Sequence, residues 1–178
     1  MEAKVIQFVL MKNKNLHTID ISGCRTDYAE NLEFFLQKID RNSAIRYLVL
    51  DNMQPDLSVS LEVLGEALSQ NTQLEVLIMR ENRLKWIPYA AFYESIKTNT
   101  TLKKINVSKT ELNDRVLEPL CGLLCNPAVT LEDLDLSRNL ITDVGLAALG
   151  TALSNNKSIK YLNLAQNNFR DSGMKTFV

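Results

Sequence analysis

The stretch Leu131-Glu-Asp-Leu-Asp-Leu-Ser-Arg-Asn139-Leu-Ile-Thr-Asp143-Val-Gly145-Leu decides the fold of this chain, because its pattern recurs. Apolar residues stand at positions 1, 4 and 6 of the pattern, counted from Leu131. The same arrangement begins at residues 16, 45, 74, 102, 131 and 159, with successive spacings of 29, 29, 28, 29 and 28 residues. A fixed period of this length indicates an array of stacked repeats, in which each unit contacts only its neighbours.

Each repeat is predicted to form a strand, a loop, a helix and a turn. Positions 4 and 6 alternate as in a short strand with one buried face. After position 9 a helical pattern follows, as in the apolar stripe of Leu146, Leu149 and Leu153. Because a helix is about 10 Å wide and strands pair about 4.8 Å apart, the stack is expected to curve. The strands then line the concave face and the helices the convex face.

Two polar positions mark the ends of the predicted helices. Asp143, like its equivalents Asp114 and Asp171, stands where a helix begins, and a carboxylate there can accept backbone N–H bonds. Asparagine stands three residues before the first apolar residue of most strands, and we expect it to end the helix in the left-handed conformation. These asparagines are Asn13, Asn42, Asn71, Asn99 and Asn156.

The pattern resembles the leucine-rich repeat family, and the mixture of 28- and 29-residue units with full helices resembles its ribonuclease-inhibitor subtype. The resemblance covers essentially the whole chain. It implies an α/β horseshoe solenoid, an intracellular setting and protein partners bound on the concave side or at its edges. The family includes ribonuclease inhibitor, the Ran GTPase-activating protein, sensor domains of nucleotide-binding immune receptors and actin regulators such as tropomodulin.

The chain departs from the family pattern at position 9, where the family has a buried asparagine that binds loop backbone groups. Asparagine is present only at Asn82, Asn139 and Asn167, while Cys24 and Thr110 are accepted substitutes. The remaining residue at this position, Met53, cannot form the bonds, so the loop 51–60 with its proline is expected to be irregular.

We predict a single domain over residues 1–178, with residues 1–15 as the helix of a preceding repeat or an N-terminal cap. The sixth repeat is expected to be incomplete. No segment resembles a terminal capping repeat, and solenoid ends need polar caps. The chain is therefore expected to be part of a longer chain or assembly, or to have its ends covered by a partner.

The composition argues against several partners and compartments. The 20 basic and 21 acidic residues nearly cancel and form no block of like charge, so nucleic acid and anionic membranes are poor partners. No apolar run approaches the roughly 18 residues of a membrane-spanning helix. Three cysteines without a framework spacing favour a reducing, cytoplasmic compartment.

An apolar square interrupts the polar residues expected on the concave face. Tyr47, Val49, Val76 and Ile78 occupy positions 3 and 5 of the second and third repeats, and Arg80 follows at position 7. Exposed apolar residues beside tyrosine and arginine are typical of a binding hot spot. The same residues would also be found if β-branched side chains were present only because they suit strands, or if a flanking segment covered them.

Trp86 is predicted to lie on the loop between the third strand and its helix, and Pro88 in the first turn of that helix. There Trp86 would anchor a partner at the rim of the concave face. It would equally suit a local core folded over the neighbouring loops.

Two further pairs of residues could in principle bind a metal. Asp133 and Asp135 lie on one strand, but Lys104 on the adjacent strand favours an ion pair. Cys121 and Cys125 lack the further ligands that zinc needs, which favours free thiols.

No phosphate loop or nucleophile motif is present. We therefore predict a protein-binding scaffold with no catalytic residues, cofactor or metal. The alternatives are a regulator of a small GTPase, for which Arg80, Arg138 and Asn82 are available, and an actin regulator.

Overall fold

A computed structural model describes residues 13–24, 29–39, 44–53, 57, 60–83 and 86–177. In this part of the chain six parallel strands form one sheet in the order β1 to β6. They are β1 Thr18–Asp20, β2 Tyr47–Val49, β3 Val76–Ile78, β4 Lys104–Asn106, β5 Asp133–Asp135 and β6 Tyr161–Asn163. Each strand occupies positions 3 to 5 of its repeat and pairs with the next in the same register. The predicted α/β solenoid with parallel strands is confirmed.

Helices lie on the other side of the sheet, one after each strand, and each contacts the helices of adjacent repeats. They are α1 Ala29–Leu36, α2 Leu61–Gln70, α3 Trp86–Ser95, α4 Asp114–Leu124, α5 Asp143–Leu153 and α6 Asp171–Phe177. A short 3₁₀ turn, Ile96–Thr98, extends α3. Because the helices are wider than the strand spacing, stacking curves the array toward the sheet.

The core runs continuously between sheet and helices. Six residues predicted to be buried are fully shielded from solvent: Leu48, Leu50, Leu77, Leu134, Leu136 and Leu149. Leu162 and Leu164 are predicted to be equally buried, but the structure leaves them half-buried. They lie in the sixth repeat, where the described residues provide a neighbour on one side only.

Asparagines at position 9 tie the third, fifth and sixth repeats to the repeat before each of them. The amide of Asn139 donates to the carbonyl oxygens of Val107 and Leu136 at 2.9 and 3.0 Å. Its oxygen accepts the backbone N–H groups of Thr110 and Leu112, each at 3.0 Å. These bonds satisfy buried backbone groups of both repeats. The role expected for this asparagine is confirmed.

Met53 makes no such bond, but its own N–H donates to the oxygen of Asn82 in the following repeat at 3.0 Å. The irregular loop predicted for 51–60 falls largely on residues 54–56, 58 and 59, which lie outside the described residues, as do residues 1–12.

The asparagines before the strands do not adopt the left-handed conformation, so that prediction is wrong. Asn71 and Asn99 have φ of −79° and −74° with extended ψ. The side chain acts instead: the Asn71 oxygen accepts the N–H groups of Gln73 and Leu74 at 2.8 and 2.7 Å. Its amide donates to the carbonyl of Ile39 in the preceding repeat at 2.6 Å. A second row of inter-repeat amide bonds therefore holds the turn. Asn42 lies outside the described residues.

Apart from Glu111, with φ of 59°, the left-handed residues of the described part of the chain lie at position 8 of the six repeats, with φ between 49° and 68°. These residues are Gly23, Asn52, Glu81, Lys109, Arg138 and Gln166. Only one is glycine, although left-handed backbone costs other residues about 1–2 kcal/mol. The N–H groups of the first five donate to carbonyls of the following repeat, for example from Arg138 to Ala165 at 2.8 Å.

The aspartates at the helix starts bind the following repeat. Asp143 is the first residue of α5, and the side chain of Thr142 caps that helix. The Asp143 carboxylate accepts the N–H of Arg170 at 2.7 Å and the hydroxyl of Ser172 at 2.6 Å. These bonds, led by the Arg170 N–H, hold the pKa of Asp143 below its usual range. A methyl group on Gly173 would collide with the same carboxylate, which accounts for the glycine there.

Replacement of Asn139 by alanine is expected to lower the free energy of unfolding by about 3 kcal/mol, because several buried backbone groups lose their partners. Asn167→Ala should cost only about 1 kcal/mol, since Asn167 is half-buried and its repeat has one described neighbour. Urea denaturation of both variants checks this. Equal losses would contradict the account.

Two tyrosines in α3 bury hydroxyls that make no hydrogen bond within the described residues. Tyr89 and Tyr93 are fully buried, with their rings edge to face and their centroids 4.7 Å apart. Burial raises the pKa of both hydroxyls. An unsatisfied buried polar group costs about 1–3 kcal/mol.

The double variant Tyr89→Phe/Tyr93→Phe is therefore expected to be more stable than the native protein by about 1 kcal/mol or more. Thermal and urea unfolding measure the change. Tyr161→Phe is the control, because Tyr161 is exposed and its replacement should leave the stability unchanged. A less stable double variant would show that the hydroxyls are satisfied.

Candidate functional site

The predicted apolar square forms on the concave face. The register of β2 and β3 places Tyr47 beside Val76 and Val49 beside Ile78, while Leu48 between them points into the core. Tyr47 is 46% exposed, whereas the other three side chains are half-buried. We call these four residues and Arg80 the concave patch. It consists of one exposed tyrosine, three half-buried aliphatic side chains beside it and one arginine.

Arg80 is held at the edge of this patch by Asp51. Its Nε and terminal nitrogen donate to Asp51 Oδ2 at 2.8 and 2.5 Å, and its backbone N–H donates to Asp51 Oδ1 at 2.7 Å. The hydrogen bonds that the Arg80 side chain donates to Asp51 raise the pKa of Arg80 above its ordinary value. Half of the Arg80 side chain remains exposed. A partner would meet an arginine that is already oriented and partly neutralised.

The sequence pattern predicts Trp86 on the loop before α3. That prediction is wrong, because Trp86 is the first residue of α3. Pro88 is in the first turn of that helix, as predicted. The side chain of Trp86 lies outside the described residues, so its position at the rim stays a prediction.

The two aspartates of β5 are engaged by their neighbours. Lys104 Nζ lies 2.7 Å from Asp133 Oδ2, which confirms the expected cross-strand ion pair. Asp135 accepts the N–H of Ser137 at 2.9 Å and the amide of Asn106 at 3.3 Å. No group of three His, Cys, Asp or Glu side chains in the described part of the chain is arranged to hold a metal.

Cys121 in α4 and Cys125, which directly follows that helix, are free thiols. Burial, followed by the charge of Cys125, raises the pKa of Cys121 to about 11. A thiol with this pKa is a poor nucleophile at neutral pH.

A row of alternating charges at position 2 was missed by the sequence analysis. Arg46, Glu75, Lys103, Glu132 and Lys160 follow one another at the amino ends of the strands. Glu75 lies 3.9 Å from Arg46 and 3.1 Å from Lys103, and Lys160 lies 2.8 Å from Glu132. Neighbouring charges in the row therefore offset one another, and the three basic and two acidic side chains leave a net charge of +1. Comparing each charged residue with the residue one repeat earlier in the sequence would have revealed the row.

The leucine-rich repeat family model matches residues 129–150 and 155–178. The other repeats have the same strand, the same left-handed position 8 and the same inter-repeat backbone bonds. This chain is a leucine-rich repeat protein.

Curated proteins that are similar to this chain are much longer than it is. The mouse NACHT, LRR and PYD domains-containing protein 4E is 25% identical over 90% of this chain and 16% of its own length. The mouse NACHT, LRR and PYD domains-containing protein 14 is 32% identical over 71% of this chain and 13% of its own. A protein phosphatase 1 regulatory subunit 37 homolog of Caenorhabditis briggsae is 27% identical over 84% and 16%. The chain thus spans under a fifth of each of these relatives.

Solved structures show the same fold at low sequence identity. The tropomodulin C-terminal domain of Caenorhabditis elegans superposes with a TM-score of 0.66 at 13% identity, covering 88% of this chain and 93% of that domain. Actin-binding site 2 of leiomodin-1 gives 0.58 at 12% identity, covering 98% and 82%. None of the described helices is long and apolar enough to span a membrane.

Proposed function

We propose that this chain is a protein-interaction module of the ribonuclease-inhibitor-like subtype, which binds a partner protein through the concave patch with Trp86 at the rim. It acts as a scaffold in the cytoplasm and is not an enzyme. The observation that carries the proposal is the exposed side chain of Tyr47 beside three half-buried aliphatic side chains on the same face of the sheet. Such a surface is the composition of an interface hot spot.

The patch stands out because the neighbouring strands are polar at the same positions. Beyond Val76 and Ile78, positions 3 and 5 of β4 and β5 carry the Lys104–Asp133 ion pair and the bonded Asn106 and Asp135. On the other side of the patch, Asp20 of β1 accepts the hydroxyl and N–H of Ser22. A polar border around an apolar centre is the usual arrangement of an interface core and rim.

Partners other than proteins fit this surface less well. The charges at position 2 pair with one another and leave a net charge of only +1 there, and the net charge of the chain is −1, so nucleic acid and anionic lipid are poor partners. We therefore propose a protein partner, no cofactor and no metal.

The alternative functions are regulation of a small GTPase and regulation of actin. Regulation of a GTPase would need polar groups at the rim that position the catalytic residues of the partner. Asp51 already holds the guanidinium of Arg80 through two bonds, and Asn82 is used in the stacking bonds, so Arg138 is the candidate that is left for this role. The likeness to tropomodulin and leiomodin concerns the fold. Assays of GTP hydrolysis and of actin co-sedimentation with this protein would test both alternatives.

Tyr47→Ala and Ile78→Asp are expected to weaken partner binding at least about 30-fold, because removing a central hot-spot residue costs about 2 kcal/mol or more. Tyr161→Ala is the matched control: Tyr161 occupies the same position 3 and is 55% exposed, but lies on β6 away from the patch. Quantitative affinity purification, comparing the proteins retained by each variant, measures the difference.

Melting temperatures must accompany the binding data, because half-buried Ile78 carries part of the sheet packing. Tyr47→Ala should melt within a few degrees of the native protein. If Tyr47→Ala retains the same proteins as Tyr161→Ala, the patch is not the binding surface.

A further inference from the structure

A polar trough crosses the sheet face beside the concave patch, and we infer that it binds a carboxylate of an aspartate or glutamate on the partner protein. The trough has a volume of about 370 Å³. Its floor is Ser108, Ser137 and Ala165, and its outer wall is Lys109, Arg138 and Gln166. The inference rests on the proposed function, because it assigns chemistry to the second half of the same surface.

The trough exists because position 7 changes size along the array. Asp51 and Arg80 fill this position in the second and third repeats, but the next three repeats have serine, serine and alanine. The small side chains leave a hollow at the carboxyl ends of β4, β5 and β6. Arg80 closes the end of the hollow nearest the concave patch.

The outer wall is held in place by left-handed backbone. Lys109, Arg138 and Gln166 have φ of 57°, 56° and 58°, and all three side chains are exposed. The N–H groups of Lys109 and Arg138 donate to the next repeat at 3.0 and 2.8 Å. The bases of these two side chains are therefore fixed before any ligand arrives, which lowers the entropy cost of binding.

One of the three basic side chains that line the trough has no ion-pair partner among the described residues. Arg80 is paired with Asp51, and Lys109 Nζ lies 2.9 Å from Glu81. Arg138 forms no ion pair with any residue that the structure describes. The hydroxyls of Ser108 and Ser137 likewise make no hydrogen bond to another described residue, so a guanidinium and two hydroxyls can serve one anion.

The charge balance selects a singly charged ligand. Glu81 and Asp135 also line the trough, and a doubly charged phosphate would be repelled by both. A carboxylate matches the single free charge of Arg138 and the fork of its guanidinium. It could also accept from the serine hydroxyls on the floor.

The spacing of the two surfaces defines the partner segment. Ile78 and Arg138 belong to repeats two steps apart, which is about 10 Å across the sheet. Arg138 also lies three positions further along its repeat, which adds about 10 Å in the strand direction. The partner would therefore present an apolar side chain and a carboxylate roughly 14 Å apart, which corresponds to about four residues of extended chain.

The test is selection of displayed random 12-residue peptides on the native protein, followed by synthesis of the best binders with amidated ends. We expect the selected peptides to be enriched in Asp or Glu beside an apolar residue. Replacing that Glu by Gln should weaken binding about tenfold. Arg138→Gln should abolish this difference, while Lys97→Gln on the helical side should preserve it. Glutamine is tolerated at position 8, since Gln166 occupies it with the same φ.

The outcomes separate the trough from the patch. Suppose that peptide binding is lost in Ile78→Asp, but the peptides are not enriched in acidic residues and bind Arg138→Gln normally. This result would overturn the proposal that the trough binds a carboxylate and would leave the proposed function intact. Peptides that lose binding in Arg138→Gln but bind Ile78→Asp as well as the native protein would overturn the proposal that the concave patch is a binding surface. Tighter binding of a phosphoserine peptide than of its glutamate counterpart would contradict the carboxylate assignment. If the selection yields no peptide that binds the native protein, both proposals are contradicted.

Discussion

The hydrogen bonds that each buried asparagine makes to the preceding repeat are the constraint on which the rest of this structure depends. A single repeat has one strand of three residues and one helix, and it cannot bury its apolar side chains alone. The Asn139 amide satisfies backbone groups that the turn after β4 would otherwise bury without partners. It thereby allows the leucines of adjacent repeats to meet in one dry core.

This coupling also determines what the surface can display. Because every repeat stacks in the same register, equivalent positions form rows across the sheet, and each row can have its own chemistry. Position 2 forms alternating ion pairs, position 9 forms amide bonds, and position 7 changes from large to small. The concave patch and the trough are local exceptions within such rows. A binding surface can therefore change here through single residues while the stacking bonds remain intact.

The strands and most of the core could be predicted because they follow from the repeat spacing of 28 or 29 residues, which is visible in the sequence. The left-handed position 8 could not, since Glu81, Lys109 and Arg138 have no preference for that conformation. Asn71 was assigned the wrong role because asparagine suits both a left-handed residue and a side-chain turn, and periodicity does not distinguish them. The concave patch was recognisable from its apolar residues. The trough was not recognisable from the sequence. Its small residues at position 7 of three successive repeats are not distinctive until the structure shows the empty space above them.

Hydrogen exchange resolved along the chain tests most directly the claim that repeats are stabilised by their neighbours. Within the described residues the interior repeats have two neighbours and the first and sixth repeats have one, so opening should cost more in the middle of the array. The account predicts the slowest exchange at the amides bound by Asn139, those of Thr110 and Leu112, with much faster exchange in 13–24 and 170–177. Uniform protection along the chain would contradict it.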